Sequence, residues 1–201
     1  MRAVVALGNP GPKYAVARHN AGFLLADVLR EQWQLPKFRR AGKAQVAEGR
    51  VSGESLLLIK PQTYMNRSGE VVRGLLASTS LDPSQDLLIL VDDSALPLGT
   101  FRLRAKGSAG GHNGLTSVQE AVGSLEYARL RIGVGPPPDD IDDHADFVLA
   151  PFERNELSQL ADLLPTLTDA VECWLVEGID VAMNRFNRKI ELQEGQEGQE
   201  E

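Results

Sequence analysis

Two apolar runs that stop abruptly at polar turns constrain this chain more than any other feature. Val4-Val5-Ala6-Leu7 passes straight into Gly8-Asn9-Pro10-Gly11, and the run over 87–91 ends at Asp92-Asp93. Neither run alternates apolar with polar residues, as a strand with one wet face would. Strands buried on both faces read this way, and they belong to sheets covered by helices on either side. Pro10 fixes one backbone dihedral, while Gly8 and Gly11 allow conformations closed to other residues, so the chain leaves the first strand through a rigid turn. In an open α/β sheet, side chains gather around a ligand at the carboxyl ends of the strands. Asn9, and His19 shortly after it, are candidates for groups held out on such a scaffold.

The remaining chain continues the alternation. Residues 2–8 read as a buried strand, and Phe23, Leu24, Val28 and Leu29 recur at helical spacing over 20–33 until Pro36 breaks the pattern. Lys37, Arg39, Arg40 and Lys43 read as a basic loop. The stretches 44–51 and 55–60, joined by Ser52-Gly53-Glu54, read as a β-hairpin. A second strand-to-helix loop, 61–69, offers Ser68 as N-cap for a helix over about 70–79. Further strands are expected at 87–91, 100–104 and 129–134, with a glycine-rich loop over 106–114 leading into a helix at 115–122. A long helix over 153–177 is expected to be interrupted at Pro165, and a shorter one follows over 179–186. With no long repeat and no domain boundary, the reading is one α/β domain over 1–190 with a twisted mixed sheet surrounded by helices. The Gly-Gln-Glu repeats of 191–201 form an acidic tail read as disordered.

Charge is unevenly spread. The net charge is −7, yet residues 1–138 hold 17 Lys+Arg against 11 Asp+Glu, a net of +6, and the acidity lies beyond them. A polyanionic ligand is thus permitted on the portion carrying the candidate site. The single Cys173 has no internal disulfide partner and sits in an apolar helical context. No run approaches the roughly 20 apolar residues of a membrane span, and the N-terminus lacks the form of a signal peptide. Together these give a cytoplasmic reading.

Four polar residues fall where such a sheet would bring them to one crevice: Asn9 after the first strand, Asn66 after the hairpin, Asp92 after the central strand, and Asn113 where the glycine-rich loop enters a helix. His19 is a natural general base near neutral pH, or a structural histidine at a helix start. Asp92 can orient that imidazole or serve as a turn residue, and the adjacent Asp93 leaves the choice open. Asn113 also reads as a helix N-cap, and Asn66 and Asn9 as turn residues. The loop over 107–114 lacks both Gly-x-x-x-x-Gly-Lys-Ser/Thr and Gly-x-Gly-x-x-Gly, which disfavours a nucleotide cofactor. No Gly-x-Ser-x-Gly elbow occurs, and the three histidines lack metal-ligand spacing. Water activated directly by a histidine is the simplest hydrolytic chemistry left, with no cofactor or metal expected.

Taken in order, several motifs carry a resemblance: Gly8-Asn9-Pro10-Gly11, Tyr14, Arg18-His19-Asn20-Ala21-Gly22, Lys60-Pro61-Gln62-Thr63-Tyr64-Met65-Asn66-Arg67-Ser68-Gly69, Asp92-Asp93, Gly110-Gly111-His112-Asn113-Gly114-Leu115 and Arg129-Leu130-Arg131-Ile132-Gly133. The chain resembles bacterial peptidyl-tRNA hydrolase from residue 2 to about 190. The resemblance implies a monomer that cleaves the ester between a peptide and the 3′ end of tRNA, recycling tRNA after stalled translation. It implies His19 as catalytic base, Asp92 as its supporting acid, and Asn9 as the residue separating blocked from free α-amino groups. Tyr14, Tyr64, Asn66 and Asn113 match substrate-binding positions. Arg104 and Arg131 match a pair clamping the tRNA 5′-phosphate, a role suited to the guanidinium fork. The implied partner is peptidyl-tRNA, through its acceptor stem, 5′-phosphate and 3′ CCA end, with no membrane involved. Two positions depart from the pattern: Ala95 stands where many members have an acidic residue, and Arg104 where lysine is usual, with Lys106 two residues on. A non-catalytic RNA-binding relative of the same fold is the alternative from another class.

Overall fold

In the computed structural model, which describes residues 1–138 and 144–187, the first apolar run becomes the middle strand of a seven-stranded mixed sheet. This strand, β1 (Arg2–Ala6), lies between β4 (Glu54–Pro61) and β5 (Leu87–Pro97), parallel to both. Beyond β5, β7 (Ala128–Gly135) is again parallel, and β6 (Phe101–Arg104) closes that edge antiparallel to β7. On the other side β3 (Ala44–Val51) pairs antiparallel with β4 across the turn at Ser52 and Gly53, as the hairpin reading expects. The order is β2-β3-β4-β1-β5-β7-β6.

The continuous apolar runs arise because the central strands are buried on both faces. On one face Val4, Leu58, Leu88, Leu90 and Leu130 pack against α1 (Ala21–Gln32) and α6 (Arg154–Glu177), with Trp174 fully buried among them. On the other, Val5, Leu7, Ile89 and Val91 meet α2 (Gly69–Ser78) and α4 (Asn113–Val122) through Val72, Leu75, Leu115 and Val118. Burial of this kind is worth about 1.5–3 kcal/mol per large apolar side chain. Cys173 lies in the first of these cores, as its helical apolar context indicates. Three shorter helices complete the described chain: α3 (Pro83–Asp86), α5 (His144–Leu149) and α7 over 179–187.

Several expectations need correction. Residues 39–41 of the expected basic loop form an edge strand, β2 (Arg39–Ala41), paired with β3. All three of its side chains are exposed, so no apolar pattern marks it, and its arginines protect an open sheet edge. Strand β5 does not end at Val91 but continues through Asp92-Asp93 to Pro97, with a register shift against β7. Ser68 stands at the N-cap position of α2, as expected, but its side chain does not cap the helix: it is fully buried, and its hydroxyl donates back to Met65 O at 2.8 Å. Helix α6 runs unbroken through Pro165, because Pro165 and Ala161, whose carbonyl loses its partner, both sit on the exposed face where water can replace the bond. The tail over 191–201, the end of the expected domain at 188–190 and residues 139–143, the first of the acidic portion beyond residue 138, lie outside the described residues.

Candidate active site

The carboxyl ends of the parallel strands open on a cavity of about 790 Å³. Asn9 reaches it from the end of β1, Met65 and Asn66 from the turn after β4, and Asp92 through Ala95 from the extension of β5. Gly110 through Asn113 and Arg131 form a second wall, and His144, Ala145, Val148 and Leu149 of α5 a third. His19, Tyr64, Asn66 and Asn113 all line this one space, with the phenol ring of Tyr64 62% exposed at its mouth. Asn9, Asn66, Asp92 and Asn113, expected to meet at one crevice, thus line a single cavity.

His19 is carried by a short 3-10 turn, Arg18–Asn20, tied down on both flanks. The Arg18 guanidinium pairs with Glu156 at 2.6 Å and donates to Pro151 O at 3.0 Å, fastening the turn to the start of α6. Asn20 grips the backbone of Asn9, accepting from its N–H at 2.8 Å and donating to its carbonyl at 2.9 Å. The first turn of the chain and the histidine turn are thus one unit, and Asn20, which the sequence reading left without a role, joins them.

The His19 ring presents Nδ1 to Asp92, 2.9 Å from each carboxylate oxygen. With Nδ1–H donated there, the lone pair of Nε2 is the ring's remaining basic site. Asp93 has a different partner: Arg131 Nε at 2.9 Å, while its Oδ1 accepts from Ala95 N–H at 3.0 Å. Geometry separates the two aspartates where composition could not. Burial would raise the Asp92 pKa, but charge and hydrogen bonding from His112 and His19 outweigh it and hold the carboxyl below the ordinary carboxylate range.

His112 is the residue that sequence reasoning missed. It, not Asn113, caps α4: its Nδ1 accepts from Gly114 N–H at 3.1 Å and Leu115 N–H at 3.2 Å, while Nε2 lies 3.0 Å from Asp92 Oδ1. Asparagine is the commoner cap, which drew the assignment one residue too far. Asn113 instead becomes the first helical residue, exposed on the cavity wall. One ligand atom each of His19, Asp92 and His112 lie within 4.8 Å of one another, a donor set that could take a cation, though all three are already joined by hydrogen bonds.

The Asn9 side chain is oriented by Met65, whose N–H donates to Oδ1 at 2.8 Å. The NH₂ end is the amide's remaining hydrogen-bonding group. Tyr14 and Arg104 do not line the cavity. Tyr14 closes a 3-10 turn over Pro12–Tyr14, half-buried beneath Lys13. In the β6–β7 register Arg131 stands opposite Arg102, and Arg104 opposite Arg129, so Arg104 and Arg131 share a sheet face as diagonal neighbours. Arg129 is buried, donating to the carbonyls of Gly107, Ser108, Leu125 and Tyr127 and so anchoring the glycine-rich loop.

The profile of the family described as Peptidyl-tRNA hydrolase matches residues 3–194. A peptidyl-tRNA hydrolase of Gemmatimonas aurantiaca is 44% identical over 190 residues, covering 94% of this chain and all of that protein. One from Chloroflexus aurantiacus is 46% identical over 187 residues, covering 93% and 99% respectively. The crystal structure of peptidyl-tRNA hydrolase from Acinetobacter baumannii superposes with a TM-score of 0.85 at 32% identity, covering 93% of this chain and 94% of that one.

Proposed function

Since the chain belongs to the peptidyl-tRNA hydrolase family, we propose that the His19–Asp92 cavity is where it hydrolyses peptidyl-tRNA. Peptidyl-tRNA hydrolysis is the activity of the chain; the residue roles, tRNA contacts and cellular context below are our reading. The observation that carries it is the His19 imidazole, fixed by Asp92 through Nδ1 in a cavity also lined by Asn9, Asn66 and Asn113.

Nε2 of His19 takes a proton from water as the water oxygen attacks the ester carbonyl joining the peptide to the 3′-terminal ribose. Charge moves onto the carbonyl oxygen, where the side-chain amides of Asn66 and Asn113 donate without changing protonation. Collapse breaks the bond to the ribose oxygen, which takes the proton from the His19 imidazolium. Asp92 stabilises that cation and keeps the ring in its working tautomer.

Asn9 offers a donor, since its Oδ1 is occupied by Met65 N–H. It pairs with the carbonyl oxygen that N-acylation places next to the α-nitrogen. A free α-ammonium brings a positive charge and no such acceptor, which gives discrimination against unblocked aminoacyl-tRNA. Tyr64 at the cavity mouth and Tyr14 outside it contact the tRNA end, while Arg104 and Arg131 hold the 5′-phosphate of the acceptor stem. The protein acts as a cytoplasmic monomer returning tRNA from peptidyl-tRNA released by stalled ribosomes. Among the described residues no helix is long and apolar enough to cross a membrane.

The test is an assay with N-acetyl-aminoacyl-tRNA beside free aminoacyl-tRNA. The expected result is cleavage of the first and little of the second, with turnover lost in His19→Ala while tRNA binding persists. A fully active His19→Ala would remove His19 from the mechanism.

A further inference from the structure

We propose that His112 is a positioning residue for the hydrolytic step, coupling the start of α4 to Asp92 and thereby setting the orientation and basicity of His19. This rests on the His19–Asp92 reading above. The first N–H groups of α4 have no intrahelical acceptors. Two of them, Gly114 and Leu115, donate to His112 Nδ1 at 3.1 and 3.2 Å. A nitrogen that accepts cannot carry the ring proton, so the proton of the neutral imidazole sits on Nε2. That atom lies 3.0 Å from Asp92 Oδ1. The helix cap thus fixes a tautomer that must donate to the carboxylate.

Capping alone does not call for this residue. Ser, Asn or Asp caps a helix at least as well, and with shorter side chains. Only an imidazole among common cap candidates has a second nitrogen able to reach a carboxylate across the cavity wall. The sequence also makes room for the ring: a Cβ on Gly114 would lie 2.5 Å from Met65 Sδ, 2.9 Å from Leu7 Cδ1 and 3.0 Å from His112 Cε1.

Asp92 consequently accepts N–H donors from two separate elements, the His19 turn and the cap of α4, and cannot rotate without losing one of them. Part of its negative charge is spent on His112, which leaves less of it facing the imidazolium that forms on His19 during the step. The ionisable groups around this pair are the Asp93–Arg131 ion pair beside Asp92, with Tyr64 and His144 on other parts of the cavity wall. Because Asn113 follows His112 directly, the same ring also sets where that amide enters the cavity.

His112→Asn separates the two functions, since asparagine caps well but is too short to reach Asp92. With N-acetyl-aminoacyl-tRNA, the expected result is a folded variant with a wild-type KM and a kcat about tenfold to a hundredfold lower, as for other residues that orient a reacting group from behind. Loss of one donor leaves more of the Asp92 charge facing the imidazolium formed on His19, so the acid limb of the kcat profile should move to higher pH. A His112→Asn enzyme with wild-type kcat and pH profile would show that His112 is only a cap, overturning the inference and leaving the His19 reading intact. An inactive wild-type enzyme would instead sink that earlier reading. If the variant does not fold, ¹⁵N NMR of the wild-type imidazoles decides: an Nε2–H tautomer at His112 is expected, and an Nδ1–H tautomer or a neutral-pH imidazolium overturns the proposal.

Discussion

Asp92 receives two imidazole donors, and an amide in its place can copy its outline but not its charge. In Asp92→Asn one of the two side-chain positions becomes NH₂, facing an N–H donor of His19 or His112. The imidazolium formed during the reaction also loses its counter-charge. Turnover of N-acetyl-aminoacyl-tRNA should fall by up to about 10⁴-fold, the loss that follows when the orienting acid of a hydrolytic triad is neutralised. The acid limb should move to lower pH, opposite to the shift expected for His112→Asn, since an anion rather than a donor has been removed. Activity within twofold of wild type would exclude Asp92 from the mechanism. Asp92 also links stability to pH. Its folded pKa lies below the ordinary value of 3.8, so its contribution is present above that value and is lost as pH falls through the lower folded one. Denaturant titrations should show the gap between wild type and Asp92→Asn closing as pH drops below about 4.

Among the elements, what could be read from the sequence follows from which groups burial selects. The buried strands β1, β4, β5 and β7 and helices α1, α2 and α4 announce themselves through apolar patterns because both sheet faces are covered. Strand β2 gives no signal, since Arg39, Arg40 and Ala41 bury nothing and the strand exists through backbone pairing with β3. The extension of β5 is equally silent because Asp92, Asp93 and Ser94 are polar for chemical and turn reasons rather than for lack of a sheet partner. The site shows the same division. Asn9, Asn66 and Asp92 could be brought to the cavity from their places after strands, and His19 from the turn that follows Asn9, whereas His112 was hidden by the better cap residue beside it, and the wall formed by α5 by its short length. The contact between α2 and α4 turns on Gly69, where any Cβ would run into the carbonyl of Ser117 while Gly69 N–H donates to Ser117 Oγ at 3.0 Å. Gly69→Ala must therefore push the helices apart. A loss of about 1–3 kcal/mol in chemical denaturation is expected, typical of overpacking a well-fitted contact. An unchanged midpoint would mean that the two helices shift freely.

At the scale of the whole molecule, a net charge of −7 has to be reconciled with a polyanionic substrate. Residues 1–138 carry a net of +6, and they supply most of the cavity lining and the sheet edge where Arg102, Arg104 and Arg131 share one face. Arg131 is partly committed to Asp93, and Arg129 on the same face is buried and spent on backbone carbonyls, so among the described residues Arg104 and Arg102 are the arginines there least bound to the protein itself. Attraction of this kind acts through phosphates and counterion release, not through the ester, so it should appear in KM and leave kcat nearly untouched. For full-length N-acetyl-aminoacyl-tRNA, log KM should rise linearly with log salt, by about 0.9 for each duplex phosphate engaged. Arg104→Gln should raise KM uniformly and reduce that slope by about one, the signature of a single lost phosphate contact. A substrate cut down to the CCA end should show a shallower slope that Arg104→Gln does not alter, because the 5′-phosphate is absent. Equal salt slopes for the long and short substrates would mean that the basic edge does not meet the acceptor stem, and the tRNA would then have to approach the cavity over another face.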